Sequence, residues 1–139
     1  MAASEFRFSA GPWNIHPGAD PFGPPVRDEV SFARKLEILK DLGFDYVQFH
    51  DDDAVPDSAS LSDREHQAKE VRKALEDHGL QAEFVAPRMW EDPRTVDGPI
   101  TSNNPADRAY ALERGKRTVD VANLLVTDED LDEVALHLA

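Results

Sequence analysis

Tyr46-Val47-Gln48-Phe49-His50-Asp51-Asp52-Asp53 is a short apolar run that ends in a histidine and three consecutive carboxylates. A buried parallel strand delivers polar groups in this way to the carboxyl edge of an α/β sheet, where such folds place their chemistry. Three adjacent acids repel one another, so folding alone gives little reason for the run. A histidine beside carboxylates can have its tautomer fixed and its basicity raised. The plainer reading is a polar loop after a strand, with an aspartate capping the next element. From the residues alone both readings stand.

Working outward, the same strand-then-helix pattern recurs. Phe6 to Ala10 alternates weakly as a first strand and leads into Gly11-Pro12-Trp13-Asn14. A proline- and glycine-rich segment from Asn14 to Val26 reads as a long loop. Asp28 is placed to cap a helix over about Glu29 to Leu42, with Phe32, Leu36 and Leu39 inward and Gly43 as its stop. Beyond the central stretch, Ser62-Asp63-Arg64-Glu65 has capping-box spacing and opens a second helix with Ala68, Val71 and Leu75 inward. Gly79 ends it. Leu80 to Ala86 is the third strand, followed by Pro87-Arg88-Met89-Trp90. Asn104-Pro105 then starts a third helix to about Ala122, with Ala109, Leu112, Val119 and Ala122 along its apolar side. Helix-length connections between short strands imply parallel pairing, hence an α/β fold.

Asn123 to Val126 is too short for a fourth strand. Thr127 can cap a last helix over Asp128 to Leu138, whose acids suit a helix start. The expected organisation is therefore residues 1–122 as three β/α units and 123–139 as a helical tail. Glu133 and His137 share a helix spacing but make a weak metal pair, and no metal site is expected. His66 and His78 suit a polar helix, and His16 an exposed loop.

The chain has 139 residues, enough for one core but short of the roughly 200 that an eight-fold β/α barrel needs. Lys and Arg total 15 against 28 Asp and Glu, a net charge of −13. That balance opposes binding to nucleic acid and to anionic membranes, which requires clustered positive charge. With no cysteine, neither a disulfide framework nor a thiolate metal site is available. No signal peptide and no span of roughly 20 apolar residues is apparent, so the chain reads as cytoplasmic.

Asp20-Pro21-Phe22-Gly23, Phe49-His50-Asp51-Asp52-Asp53, Asp97-Gly98 and Tyr110-Ala111-Leu112, in that order, resemble the amino-terminal part of D-xylose isomerases. The resemblance covers about Phe6 to Ala122. It implies a partial (β/α)8 barrel, related to enzymes that interconvert an aldose and a ketose with two divalent metal ions (magnesium, manganese or cobalt). It further implies that His50 contacts the sugar and assists ring opening, and that Asp53 orients His50 through its other ring nitrogen. Trp13 resembles the aromatic wall of the sugar site after the first strand. Trp90 stands where the family has a phenylalanine, and Phe22 matches one that reaches a neighbouring subunit. Each has a plainer role available: Trp13 and Trp90 as core, Phe22 as a pin for its own loop.

The metal ligands and catalytic lysine of the family come from later strands, which have no counterpart here. The resemblance thus implies a truncated relative that keeps the His50–Asp53 pair, with no cofactor expected in this chain. The alternatives are an active enzyme whose metal site another chain completes, or a non-catalytic sugar-binding or self-associating module. Open sheet edges, and inward residues such as Val47, Phe49 and Phe84 lacking an opposite wall, point to a homodimer or higher oligomer.

Overall fold

Two helix stops of the same design set the strands. At Gly43, with φ +86°, the backbone N–H donates to Lys40 O (2.9 Å) and the next N–H, of Phe44, donates to Leu39 O (3.1 Å). At Gly79, with φ +64°, Gly79 N donates to Glu76 O (3.0 Å) and Leu80 N to Leu75 O (2.9 Å). Both are Schellman closures, in which glycine takes the left-handed position that a side chain would strain. Each releases the chain directly into a strand.

The computed structural model describes residues 7–18, 24–56 and 60–125. Among them, strands β1 (Ser9–Ala10), β2 (Tyr46–His50) and β3 (Gln81–Ala86) form one sheet in the order β1-β2-β3, both pairs parallel. Helix α1 (Phe32–Asp41) joins β1 to β2, and α2 (Asp51–Ala54) with α3 (Leu61–Asp77) joins β2 to β3. Helix α4 (Pro105–Leu125) follows β3, giving three β/α units of a partial barrel. Phe22 and the segment expected to form a helix over Asp128–Leu138, with Glu133 and His137, lie outside the described residues.

Several local readings are corrected. Helix α1 starts at Phe32, and its cap is Ser31, whose Oγ accepts from Arg34 N (3.3 Å); Asp28 lies in the irregular segment before it. Helix α3 is capped by Ser60, whose Oγ accepts from Asp63 N (3.2 Å) and donates to the Asp63 carboxylate (2.5 Å). The capping spacing thus lies two residues earlier than Ser62. Asn104 does cap α4, its Oδ1 accepting from Ala106 N (3.0 Å), and the helix runs three residues past Ala122.

The larger correction is the side of α4 that is buried. Ala111, Arg114, Arg117, Thr118, Val121, Ala122 and Leu125 face inward, while Ala109 and Val119 are exposed and Leu112 keeps 57% of its surface. An apolar pattern is misleading here because the inward face carries two arginines with a buried partner.

Period two along β2 sorts its residues. Val47 and Phe49 are fully buried and pack with Leu36, Leu39, Leu75, Val85, Val121 and Leu125. They therefore face the helices, not an open barrel interior, and need no second copy to cover them. Phe49 meets the Phe32 ring at 6.3 Å between centroids. Tyr46, Gln48 and His50 are half-buried on the opposite side.

That side is polar and joined across all three strands. Val47 pairs with Ala82 but Gln48 pairs with Phe84, so β3 carries one extra residue, Glu83, in a β-bulge. Gln48 Nε2 donates to Ser9 Oγ (2.6 Å) and to Glu83 Oε2 (3.2 Å), and Ser9 Oγ also donates to Glu83. Phe84 is half-buried, in register with Gln48.

Candidate functional site

The carboxyl ends of the strands bring four of the expected residues together. Trp13 sits in a single 3₁₀ turn (Pro12–Asn14) just after β1, with Pro12 as the rigid start. Its indole lies against the His50 ring at 4.2 Å between centroids, tilted by 34°. Trp90, after β3, also meets the His50 ring, edge-on at 4.9 Å between centroids. Trp13 is half-buried and Trp90 keeps 53% of its surface, so neither is core. Gly11, just before the turn, packs so closely beneath Trp13 that an added Cβ would overlap the indole.

His50 closes β2 and leads directly into α2. Asp53, three residues on, accepts at Oδ2 from both His50 Nδ1 (2.8 Å) and His50 N (3.2 Å). The Nδ1 bond selects one tautomer, with the proton on Nδ1 and the Nε2 lone pair free. Nε2 makes no hydrogen bond to a described residue.

The triple acid is resolved by arginines. Asp51 is fully buried and accepts from Arg114 Nε (2.8 Å), Arg114 NH2 (2.9 Å), Arg117 NH1 (3.3 Å) and the backbone N–H of Arg88 (3.0 Å). Asp52 accepts from Arg88 Nε (2.8 Å) and Arg114 NH2 (3.1 Å). Asp53 Oδ1 accepts from Arg88 NH2 (2.5 Å). Arg117 NH2 also donates to Val55 O (2.7 Å) and Pro56 O (2.8 Å), just past the end of α2. Burial disfavours charge on both Asp52 and Arg114. For Asp52 the hydrogen bonds and charges of Arg88 and Arg114 outweigh it and hold the carboxyl below its ordinary value. For Arg114 the Asp51 carboxylate outweighs it and raises the guanidinium.

The loop after Trp90 is tied into the same network. Arg94 stacks on Tyr110 at 3.4 Å from the ring centroid, Asp92 takes two hydrogen bonds from the Arg94 side chain (2.8 and 2.6 Å), and Tyr110 OH meets Arg114 NH1 (3.3 Å). Arg88, Arg114 and Arg117 are the residues that sequence reasoning misses. Two signals could have found them: three adjacent acids need counter-charges, and positions 111, 114, 118, 121 and 125 follow the i, i+3, i+4 spacing of one helix face. His16 is exposed, His66 faces Glu70 at 3.4 Å, and His78 Nδ1 donates to Ala74 O (2.7 Å) at the end of α3. None of the three belongs to the site.

Divalent metals of the kind the resemblance implies take several oxygen ligands. Here the three neighbouring carboxylates are taken up by arginines and His50. Among the described residues no group of three or more His, Cys, Asp or Glu is placed to hold a cation. The described residues do not fit the ion. None of the described helices is long and apolar enough to cross a membrane.

The parallel sheet and its helices are three β/α units of a partial barrel, with His50 beside Trp13 and Trp90 at the carboxyl edge. No protein-family model matches the chain. Over 118 residues, 84% of this chain, it is 35% identical to a xylose isomerase of Thermus thermophilus and 33% identical to one of Thermus caldophilus. The chain is similar to these xylose isomerases over most of its own length, and it spans 30% of the length of these curated relatives.

Proposed function

We propose that this chain carries the sugar-opening part of a xylose isomerase-type aldose–ketose isomerase site, with His50 as the acid–base group and Asp53 as its orienter. The observation that carries the reading is the Asp53 carboxylate on His50 Nδ1 at 2.8 Å, with the Trp13 and Trp90 rings both against the imidazole. In the neutral ring, Nε2 takes the proton of a sugar's anomeric hydroxyl. It returns that proton to the ring oxygen as the bond from the anomeric carbon to that oxygen breaks and the carbonyl forms. Trp13 and Trp90 offer apolar faces to the sugar's C–H groups and narrow water access. Phe22, for which the resemblance implies a neighbouring subunit's site, completes the proposed set. The hydride shift of complete isomerases requires metals, and no step of it is assigned to these residues.

The test is titration of the 139-residue chain with D-xylose, followed by the ring resonances of His50 and the tryptophan emission. Saturable changes in both signals are expected in the parent chain, and none in the tryptophan emission of His50→Ala; no change in the parent chain would overturn the reading. Isomerase assays with magnesium, manganese or cobalt should stay at background. Metal-dependent turnover lost in His50→Ala would instead favour a metal site completed between chains.

A further inference from the structure

Arg88 joins the parts of the site that come from β2, α2 and the loop after β3. It sits two residues past the end of β3, and its side chain is 17% exposed. Its Nε donates to Asp52 (2.8 Å), its NH2 to Asp53 (2.5 Å) and its NH1 to Glu91 (3.2 Å), while its guanidinium lies 5.8 Å from the Trp90 ring centre. The backbone N–H of the same residue donates to Asp51. One planar fork therefore spans two adjacent carboxylates of α2 and the aromatic of the next loop. Arginine can do this, and a lysine ammonium, a single point donor, cannot.

The division of Asp53 is the telling detail. Oδ1 faces Arg88 and Oδ2 faces His50, so the carboxylate is clamped between them and cannot rotate without breaking a bond on one side. The same arginine compensates the repulsion between Asp52 and Asp53 and braces Trp90 beside the His50 ring.

We propose that Arg88 is the positioning residue of this site: it locks the Asp53 carboxylate and Trp90 against His50, so that a single imidazole tautomer, with Nε2 free, is presented to the sugar. This role rests on the reading of His50 as the sugar-facing group for its purpose, but not for its geometry. Without Arg88, Asp53 turns toward solvent, Trp90 loses its stacking partner, and both His50 tautomers are populated.

The test reads the ring nitrogens of His50 by ¹⁵N NMR about two pH units above the ordinary histidine value of about 6.5. The parent chain should show the Nδ1–H form alone, with an NOE between the His50 and Trp90 rings. Arg88→Gln should show a mixture of tautomers and lose the NOE. Arg88→Lys should recover the parent melting temperature but neither the single tautomer nor the NOE, since charge returns without the fork. Should Arg88→Gln fail to fold, Arg88→Lys alone carries the comparison. An unchanged tautomer and NOE in Arg88→Lys would overturn the proposal, since charge alone would then suffice. D-xylose titration of the parent chain separates the two claims: no binding there removes the sugar reading, while the tautomer result still decides the role of Arg88.

Discussion

Arg114 meets Asp51 through two side-chain hydrogen bonds, Nε to Oδ2 at 2.8 Å and NH2 to Oδ1 at 2.9 Å, across 63 residues of sequence. The carboxylate is fully buried and the Arg114 side chain is 6% exposed. This pair fastens the turn after β2 to helix α4. Breaking one partner of such a pair leaves an uncompensated buried charge, which costs about 3–5 kcal/mol. Arg114→Ala and Asp51→Ala should each lose that much in urea unfolding. The double variant should lose clearly less than the sum, because the second removal takes away the stranded charge. Additive losses would show that the two groups act independently.

Gly11 supports Trp13 by having no side chain. In Gly11→Ala the new methyl overlaps the indole, while the extended backbone at Gly11 (φ −87°, ψ 146°) is one that alanine adopts freely, so the clash falls on the ring alone. Trp13 should leave the His50 face, with loss of near-ultraviolet circular dichroism and roughly 0.5–1.5 kcal/mol of stability from the lost ring pair. Weaker D-xylose binding should accompany it. A parent-like near-ultraviolet spectrum would exclude the displacement.

Acid should loosen the site through Asp52. Its folded pKa is depressed by Arg88 and Arg114 despite burial, so its contribution to stability is fully present above the unfolded value of about 3.9. That contribution is lost as pH falls below this value toward the folded pKa. Urea unfolding between about pH 6 and pH 3 should therefore show a decline that is shallower in Asp52→Asn than in the parent chain. Parallel curves would mean that Asp52 carries no such linkage.

Association through sheet edges is expected. Among the described residues β1 and β3 each pair with one strand, β2, so the outer edge of β3 (Gln81–Ala86) has no described strand beside it. The fully buried Val47 and Phe49 do not add to the case, since the helices already cover them. Sedimentation velocity at tens of micromolar should give a dimer or larger species. A monomer would show that the edge is protected by other means, and a proline placed at Glu83 should then leave the mass unchanged.

Much of this protein can be read from neighbours in sequence. Gly43 and Gly79 stop helices because a left-handed turn closes the last carbonyls, and Asn104-Pro105 starts one because the first N–H groups need a cap. The run Tyr46–His50 alternates because one face of β2 meets helices and the other does not. These are interactions over three to five residues, so the chain itself states them, as it does the His50–Asp53 pair, which is local at i and i+3. The starts of α1 and α3 are ambiguous in sequence because several serines and aspartates compete as caps, and only the folded backbone selects Ser31 over Asp28 and Ser60 over Ser62. The inward face of α4 is hidden for a different reason. Arg114 and Arg117 look like solvated charges until Asp51, more than 60 residues earlier, is carried beneath them. Burial of a charge is favourable only where its partner stands, and the three-dimensional path of the chain alone determines where that is. The same holds for Arg88 and for the Trp13–His50–Trp90 cluster, which three separate strand ends deliver to one point.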